Sequence, residues 1–364
     1  MLVQDICSTM EAWAPLAWQA SYDNAGLLTG NRLHKITGVL VSFDCTEAVV
    51  QEAISKQCNV IVAHHPIIFS GIKQLTGRDY VERTIILAIK HDIAIYASHT
   101  NLDHAPKGVS YQLAQKLGLQ GGRVLRPMRD ALCQLSYFVP TASAAEVRNA
   151  LHAAGAGDIG NYTACSFSSE GLGRFTPRNE AKPTIGQVGK AEEVQELRVD
   201  MLFPKHLESS VISALVSAHP YEEVAYFITS LGNTWQEVGA GYVGELPQAL
   251  DAEAFGALLK DKLSLTHFRH TAWVGRDIKR VALCGGAGSF LLADAKKANA
   301  DVFISGDFKY HEFFDAENQC TICDIGHYES EVMIKDTIHE YLSNNFSTFA
   351  VLKSETNTNP VSFA

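Results

Sequence analysis

Residues 36–117 and 248–364 alternate short runs of Val, Ile, Leu and Ala with helix-length amphipathic segments, and nothing else in the sequence restricts the fold so strongly. Runs such as "ITGVLVSFD", "NVIVA" and "IAIYAS" are apolar at successive positions, not at every second one. Strands of that kind are buried on both faces, as in parallel sheets covered by βαβ crossover helices. The first stretch predicts strand 36–44, helix 46–56, strand 59–63, helix 79–91, strand 93–98 and helix 108–117. The second predicts helix 251–263, strand "RVALCGG", helix 288–299, strand "VFISGD", helix 309–317 and strand "TICDIG". A helix from Tyr328 to about Ser343 and a last strand, "TFAVLKSE", complete it.

The residues in between follow another grammar. "ALCQLSYFVP" predicts a strand, 144–154 a helix and "NYTACSFSS" a strand. A Gly-rich hairpin, "GLGRFTPRNEAKPTIGQVG", comes next. "EVQELRVDMLF" alternates as a strand, Pro204 opens a helix to about Ala218, and "EVAYFITS" ends the unit. Strand–helix–strand twice over is the ferredoxin-like pattern. The simplest architecture is a two-lobed α/β unit, with lobes at 1–125 and 247–364, into which a ferredoxin-like α+β module at 126–246 is inserted. A chain of 364 residues has room for such a division.

Composition excludes several classes. No apolar run approaches the roughly 18–20 residues of a membrane span. The opening "MLVQDICSTMEAWAPLAWQ" carries Asp5 and no basic region, so it does not read as a secretory signal. The net charge is −10 and no dense Lys/Arg stripe is present, which argues against nucleic-acid binding. The eight cysteines are scattered singly apart from Cys320 and Cys323, the usage of reduced core thiols in a cytoplasmic protein. "CTIC" lies in a predicted strand, where residues three apart face opposite ways, and no second CxxC completes a zinc site.

The chemistry gathers at strand ends. "VIVAHHPIIFSG" runs apolar residues into His64 and His65. Adjacent strand residues face opposite ways, so these rings converge only if the strand stops and the chain turns, as Pro66 favours. The next strand delivers "YASHTNLDHAP", with His99, Thr100, Asn101, Asp103 and His104. "DIGHYESE" places His327 and Glu331 four apart at a helix start, hence on one face. All three clusters follow the C-terminal end of a predicted strand, where open α/β sheets gather ligand sites. Imidazoles with carboxylates suit zinc, iron, manganese or nickel, and five or six such ligands exceed the needs of one tetrahedral ion, which points to two. Other features are weaker. Asp307 and His311 in "SGDFKYHE" and the "HPYEE" of 219–223 read as surface or cap features, and "CGGAGS" reads as an ordinary strand-to-helix turn.

The motifs "SYDNAGLLTG", "VAHHPIIFSG", "SHTNLDHAPKG", "CGGAGS", "SGDFKYHE" and "DIGHYESE" together resemble those of the Nif-three-like proteins, widely labelled GTP cyclohydrolase I type 2 homologs. The middle segment, with "IGNYTACSF", "GLGRFTP" and "AHPYEEVAY", resembles the PII/CutA-like insert of the longer bacterial members. The resemblance implies a dinuclear metal centre held by His64, His65, Asp103, His327 and Glu331, with Asp103 and Glu331 bridging. His99 enters as the candidate catalytic residue. Self-association into a toroidal homohexamer is implied as well. The function expected is that of a metal-dependent hydrolase that uses a metal-bridging water on a small-molecule or nucleotide substrate, GTP ring opening being its specific form. The alternative is a metal-handling or regulatory binding protein whose insert senses a small molecule or gates the cavity. A DNA-associated role rests on the family name alone and runs against the acidic charge.

Overall fold

Strand Val60–Ala63 is fully buried, and its neighbours Gly38–Ser42 and Ala94–Ala97 are buried at every position, as continuous apolar runs require. In the computed structural model, which describes residues 1–362, these strands form the centre of a five-stranded sheet. Its order is Gly26–Thr29, Ala94–Ala97, Val60–Ala63, Gly38–Ser42, Ala350–Lys353. The last four run parallel and the first antiparallel. Leu40, Ile61, Ala63 and Ile95 pack against helices Glu47–Ser55 and Tyr80–Lys90. Thr46 and Asp79 cap those helices, their side chains accepting from the backbone N–H of Val49 and Glu82. Helix Ile334–Asn345 packs on strand Gly38–Ser42, and its Tyr341 hydroxyl donates to Thr9 O (3.1 Å) in helix Val3–Trp13.

A second sheet has six strands, in the order Arg269–His270, Thr321–Asp324, Val302–Gly306, Ile278–Ala287, Trp235–Leu250, Gln120–Met128. The Ile278–Ala287, Val302–Gly306 and Thr321–Asp324 strands are parallel. One face packs on helices Val109–Lys116 and Ala252–Leu263, the other on Leu291, Leu292 and Ala295. Cys323 lies in the first of these cores and Cys320 in the second, on opposite sides of the sheet as strand geometry demands. All eight cysteines are free thiols.

The chain divides into two compact units, Met1–Arg126 with Glu237–Ala364, and Pro127–Gln236. The structure differs from the sequence reading in three ways. Residues 237–246, expected in the insert, belong to the larger unit because strand Trp235–Leu250 pairs along Ile278–Ala287. The lobes also trade segments: strand Gln120–Met128 joins the second sheet, while helix Ile334–Asn345 and strand Ala350–Lys353 return to the first. The helix expected from Tyr328 to Ser343 is two, His327–Glu331 and Ile334–Asn345.

The smaller unit runs strand Leu132–Pro140, helix Ala144–Ala153, strands Phe167–Phe175 and Glu192–Pro204, helix Glu208–Ala218, strand Tyr226–Ser230. Its antiparallel sheet has the order Phe167–Phe175, Glu192–Pro204, Leu132–Pro140, Tyr226–Ser230. Cys133, Leu135, Tyr137 and Val139 line one face and meet Val147 and Leu151 of one helix and Val211 and Leu215 of the other. The strand expected at 161–169 lies instead at Phe167–Phe175. "GLGRF" read as turn because of its glycines, but Gly173 lies inside the strand, where a Cβ would run into the Glu196 carboxylate.

The central strand of the first sheet gives a direct test. Ile61 is fully buried, and Ile61→Ala is expected to cost about 2–5 kcal/mol in denaturant unfolding.

Candidate metal centre

The clusters singled out at strand ends meet within the larger unit. Strand Val60–Ala63 stops at Ala63, and the N–H groups of His64 and His65 both donate to Phe43 O, each at 3.1 Å. That turn brings the two rings to one side, with centroids 4.9 Å apart. Helix Thr100–His104 carries Asp103, and helix His327–Glu331 presents its first and last side chains together.

The donor atoms converge on one carboxylate oxygen. Glu331 Oε2 lies 3.0 Å from His327 Nε2, 3.2 Å from His65 Nε2 and 3.6 Å from His64 Nε2. His64 Nε2 is also 3.6 Å from Asp103 Oδ1, and the Nε2 atoms of His65 and His327 are 3.2 Å apart. Ligand bonds of about 2.0–2.1 Å around a tetrahedral centre put donors roughly 3.3 Å apart, which these spacings match. His64, His65 and Glu331 form a metal-type triad with all ligand atoms within 4.8 Å of one another.

The second nitrogen of each ring is committed elsewhere. His64 Nδ1 donates to Ser98 O (2.8 Å), which can only accept, so the proton sits on Nδ1 and Nε2 carries a lone pair. His65 Nδ1 bonds Asp44 Oδ1 (2.7 Å) and His327 Nδ1 bonds Asp307 Oδ2 (2.6 Å). Such carboxylate or carbonyl anchors are the usual companions of metal-binding imidazoles, because they fix both tautomer and ring plane. Among the described residues, the buried atoms His64 Nε2 and Asp103 Oδ1 have no hydrogen-bond partner. Two lone-pair atoms shielded from water and facing one another fit a shared cation.

Electrostatics lead the same way. Burial disfavours charge on His65, yet hydrogen bonds to Asp44 and Glu331 outweigh it and hold the ring up at about 9. Burial likewise opposes charge on His327, and Glu331 and Asp307 lift it to about 10. Burial raises Asp103, with the Glu331 charge adding to the rise. Burial would raise Glu331 too, but the imidazoles of His327, His64 and His65 gathered around it hold it well below the usual carboxylate range. The cluster therefore calls for positive charge at its centre.

His99 stands beside it, its ring centroid 5.5 Å from that of His64 and 5.3 Å from that of His65. Its Nδ1 bonds Asp23 Oδ1 at 2.7 Å, and Asp23 also accepts from Thr100 N (2.9 Å) and from the Thr100 hydroxyl. Asn101 and His104 turn away from the cluster, the first donating to Ala14 O (2.6 Å) and the second to Trp18 O (2.6 Å).

The weaker sequence candidates divide. Asp307, read as a surface or cap feature, orients His327, whereas His311 stacks on Phe314 and meets Tyr310 edge-on. His219 of "HPYEE" spends both nitrogens locally, on Phe138 O (2.9 Å) and Tyr221 N (3.1 Å), as a cap. "CGGAGS" ends strand Ile278–Ala287 and serves the cluster by steric absence: Gly286 has φ +60°, and a Cβ there would collide with Glu331 Oε1. Asp44, Asp23 and the orienting role of Asp307 were missed. Asp44 and Asp307 follow strands Gly38–Ser42 and Val302–Gly306, so the strand-end rule applied to every strand would have found both.

A mixed α/β protein with several sheets and a buried histidine–glutamate cluster of metal-binding geometry is the class defined so far. The chain belongs to the Duf34/NIF3 (NGG1p interacting factor 3) family, whose sequence model matches residues 1–360. It is 40% identical over 365 residues to a Bacillus subtilis (strain 168) protein named "GTP cyclohydrolase 1 type 2 homolog", covering 99% of this chain and 98% of the relative. A Staphylococcus aureus (strain MW2) protein of the same name is 34% identical, with 100% of both chains covered. Among solved structures, a Bacillus cereus protein related to NIF3 superposes with TM-score 0.88 at 37% identity, covering 100% of this chain and 99% of that one. No helix among the described residues is long and apolar enough to cross a membrane.

Two outcomes follow from the site. Burial raises Asp23, but hydrogen bonds from His99, Thr100 and the Asn24 N–H, with the His99 charge, outweigh it and hold Asp23 at about 2. An unfolded Asp titrates near about 3.9. Ionised Asp23 therefore stabilises the fold by roughly 2 kcal/mol above about pH 4, and this is lost as pH falls toward about 2. In urea titrations, the stability gap between the wild type and Asp23→Asn is expected to close over that window. Separately, Gly286→Ala is expected to displace Glu331 and abolish stoichiometric divalent-metal binding, read by elemental analysis of folded protein.

Proposed function

We propose that His64, His65, Asp103, His327 and Glu331 hold two divalent metal ions, and that the protein is a metal-dependent hydrolase acting on a small molecule or nucleotide, with GTP ring opening as the specific reaction. The observation that carries this reading is the shielded, unpartnered pair His64 Nε2 and Asp103 Oδ1 aimed into a cluster whose other imidazole nitrogens are all anchored. Two donor groups share Glu331 Oε2: His64 with Asp103, and His65 with His327. That favours one ion per group, with Glu331 common to both. Zinc, iron, manganese and nickel all suit the donor set. Bound divalent ions would supply Lewis acidity and acidify water at neutral pH.

The chain's own residues supply the rest. Ser98 O, Asp44 and Asp307 keep the ring planes of His64, His65 and His327 fixed, so no reorientation is needed when a ligand arrives. Asp23 holds the proton on His99 Nδ1, which leaves His99 Nε2 to accept a proton from an attacking water and return it to a leaving nitrogen. The name carried by the relatives supports a nucleotide substrate. A homohexameric assembly, a cytoplasmic location and kinship of the inserted unit with PII and CutA modules belong to the same proposal, the last on its βαββαβ order.

The test is metal-loaded protein incubated with GTP, with formate release followed across zinc, iron, manganese and nickel. Turnover that disappears in His65→Ala is expected. Release no faster than in that variant with every metal removes the GTP reaction.

A further inference from the structure

Beyond strand Ala350–Lys353, residues 354–359 stay bonded to the body of the larger unit. Ser354 N donates to Val41 O (2.8 Å), which directs the backbone past the strand end where Phe43 and Asp44 emerge. Glu52 then gathers the segment: it accepts from Ser354 Oγ (2.6 Å), Glu355 N (2.8 Å), Thr356 N (3.3 Å) and Thr356 Oγ1 (2.7 Å). Asn357 Oδ1 takes the N–H of Asn359 (3.0 Å), a turn that brings Thr358 inward. The Thr358 hydroxyl donates to Asp44 Oδ2 at 2.5 Å, and Asn359 Nδ2 donates to Glu329 Oε1 at 3.2 Å.

The two oxygens of Asp44 are thus divided. Oδ1 holds His65 Nδ1 and Oδ2 takes Thr358. A partly exposed carboxylate bound at one oxygen can still swing about its χ2 bond, and water competes for the other. Bound at both, its plane is fixed, and so is the direction of the hydrogen bond that sets the His65 ring. The same segment touches, through Asn359, the helix that carries His327 and Glu331.

We infer that Thr358, on the Ser354–Pro360 segment, is a positioning residue for the metal centre: its hydroxyl fixes the Asp44 carboxylate, which orients His65. This rests on the reading of the cluster as a metal site. Partners that orient a metal-binding imidazole are worth about 10–100-fold in metal affinity. Thr358 acts one bond further out, so its removal belongs at the lower end of that range.

The experiment uses the full chain with Co²⁺ as the probe, titrated against a competing chelator and followed by d–d absorption, with circular-dichroism melting as the check on folding. Thr358→Val is expected to bind Co²⁺ about tenfold more weakly and to change the d–d band shape. Thr358→Ser restores both. Thr356→Val, which gives up its hydroxyl bond to Glu52 instead, leaves affinity and spectrum unchanged. Identical affinity and spectrum for Thr358→Val and wild type overturn the inference and leave the metal reading standing. Equal losses in Thr356→Val and Thr358→Val also overturn it, since the segment would then act only by general anchoring. A wild-type chain that binds no Co²⁺ removes the metal reading and this inference with it. Should Thr358→Val fail to fold, Thr358→Ala carries the same comparison.

Discussion

Glu331 sets the terms for the larger unit. Its side chain is 3% exposed, and burying a carboxylate costs several kcal/mol unless compensating partners are in place. The partners are imidazoles from remote parts of the chain: His65 is 266 residues away, and only His327 is local. A lone carboxylate could not stay ionised in such surroundings. The rings aimed at it by Ser98 O, Asp44 and Asp307 keep it so, His327 and His65 through hydrogen bonds and His64 from 3.6 Å away.

This demand accounts for the way the two sheets are tied together. Were the lobes independent, each would hold half of a charged cluster with nothing to balance it. The chain instead crosses over repeatedly. Helix Val109–Lys116 packs on the second sheet just after the first lobe's histidines have been delivered, and the last helix and strand come back to the first sheet. Each crossing fixes one lobe against the other, and the return of strand Ala350–Lys353 brings Ser354–Pro360 to Asp44.

Much of this was legible before any coordinates. Continuous apolar runs located the central strands to within a residue or two at each end, because burial on both faces leaves no polar alternation to misread. His64, His65, His99, Asp103, His327 and Glu331 were legible because they follow such strands. The edge strands were not: Gly26–Thr29 and Gln120–Met128 are short or half exposed and carry a weak pattern. Glycine misled at Phe167–Phe175, where the residue answers to a neighbour's bulk and not to a turn. Asp23, Asp44 and the role of Asp307 were hidden for another reason. An orienting carboxylate differs from a surface one only in what it touches, so the strand-end position of Asp44 and Asp307 could flag them but not say which ring each one holds.

By itself, then, the sequence determined the βαβ alternation of the two lobes, the separate character of the middle segment and the histidines and carboxylates that gather after the strand ends. These follow from local rules of periodicity, turn chemistry and the spacing of residues four apart on a helix. Tertiary structure alone decided that the final strand belongs to the first sheet, that Glu331 is the point on which three imidazoles converge, and which carboxylate holds which ring. Those outcomes depend on how distant segments pack and on where burial removes water, and no window of the chain contains that information.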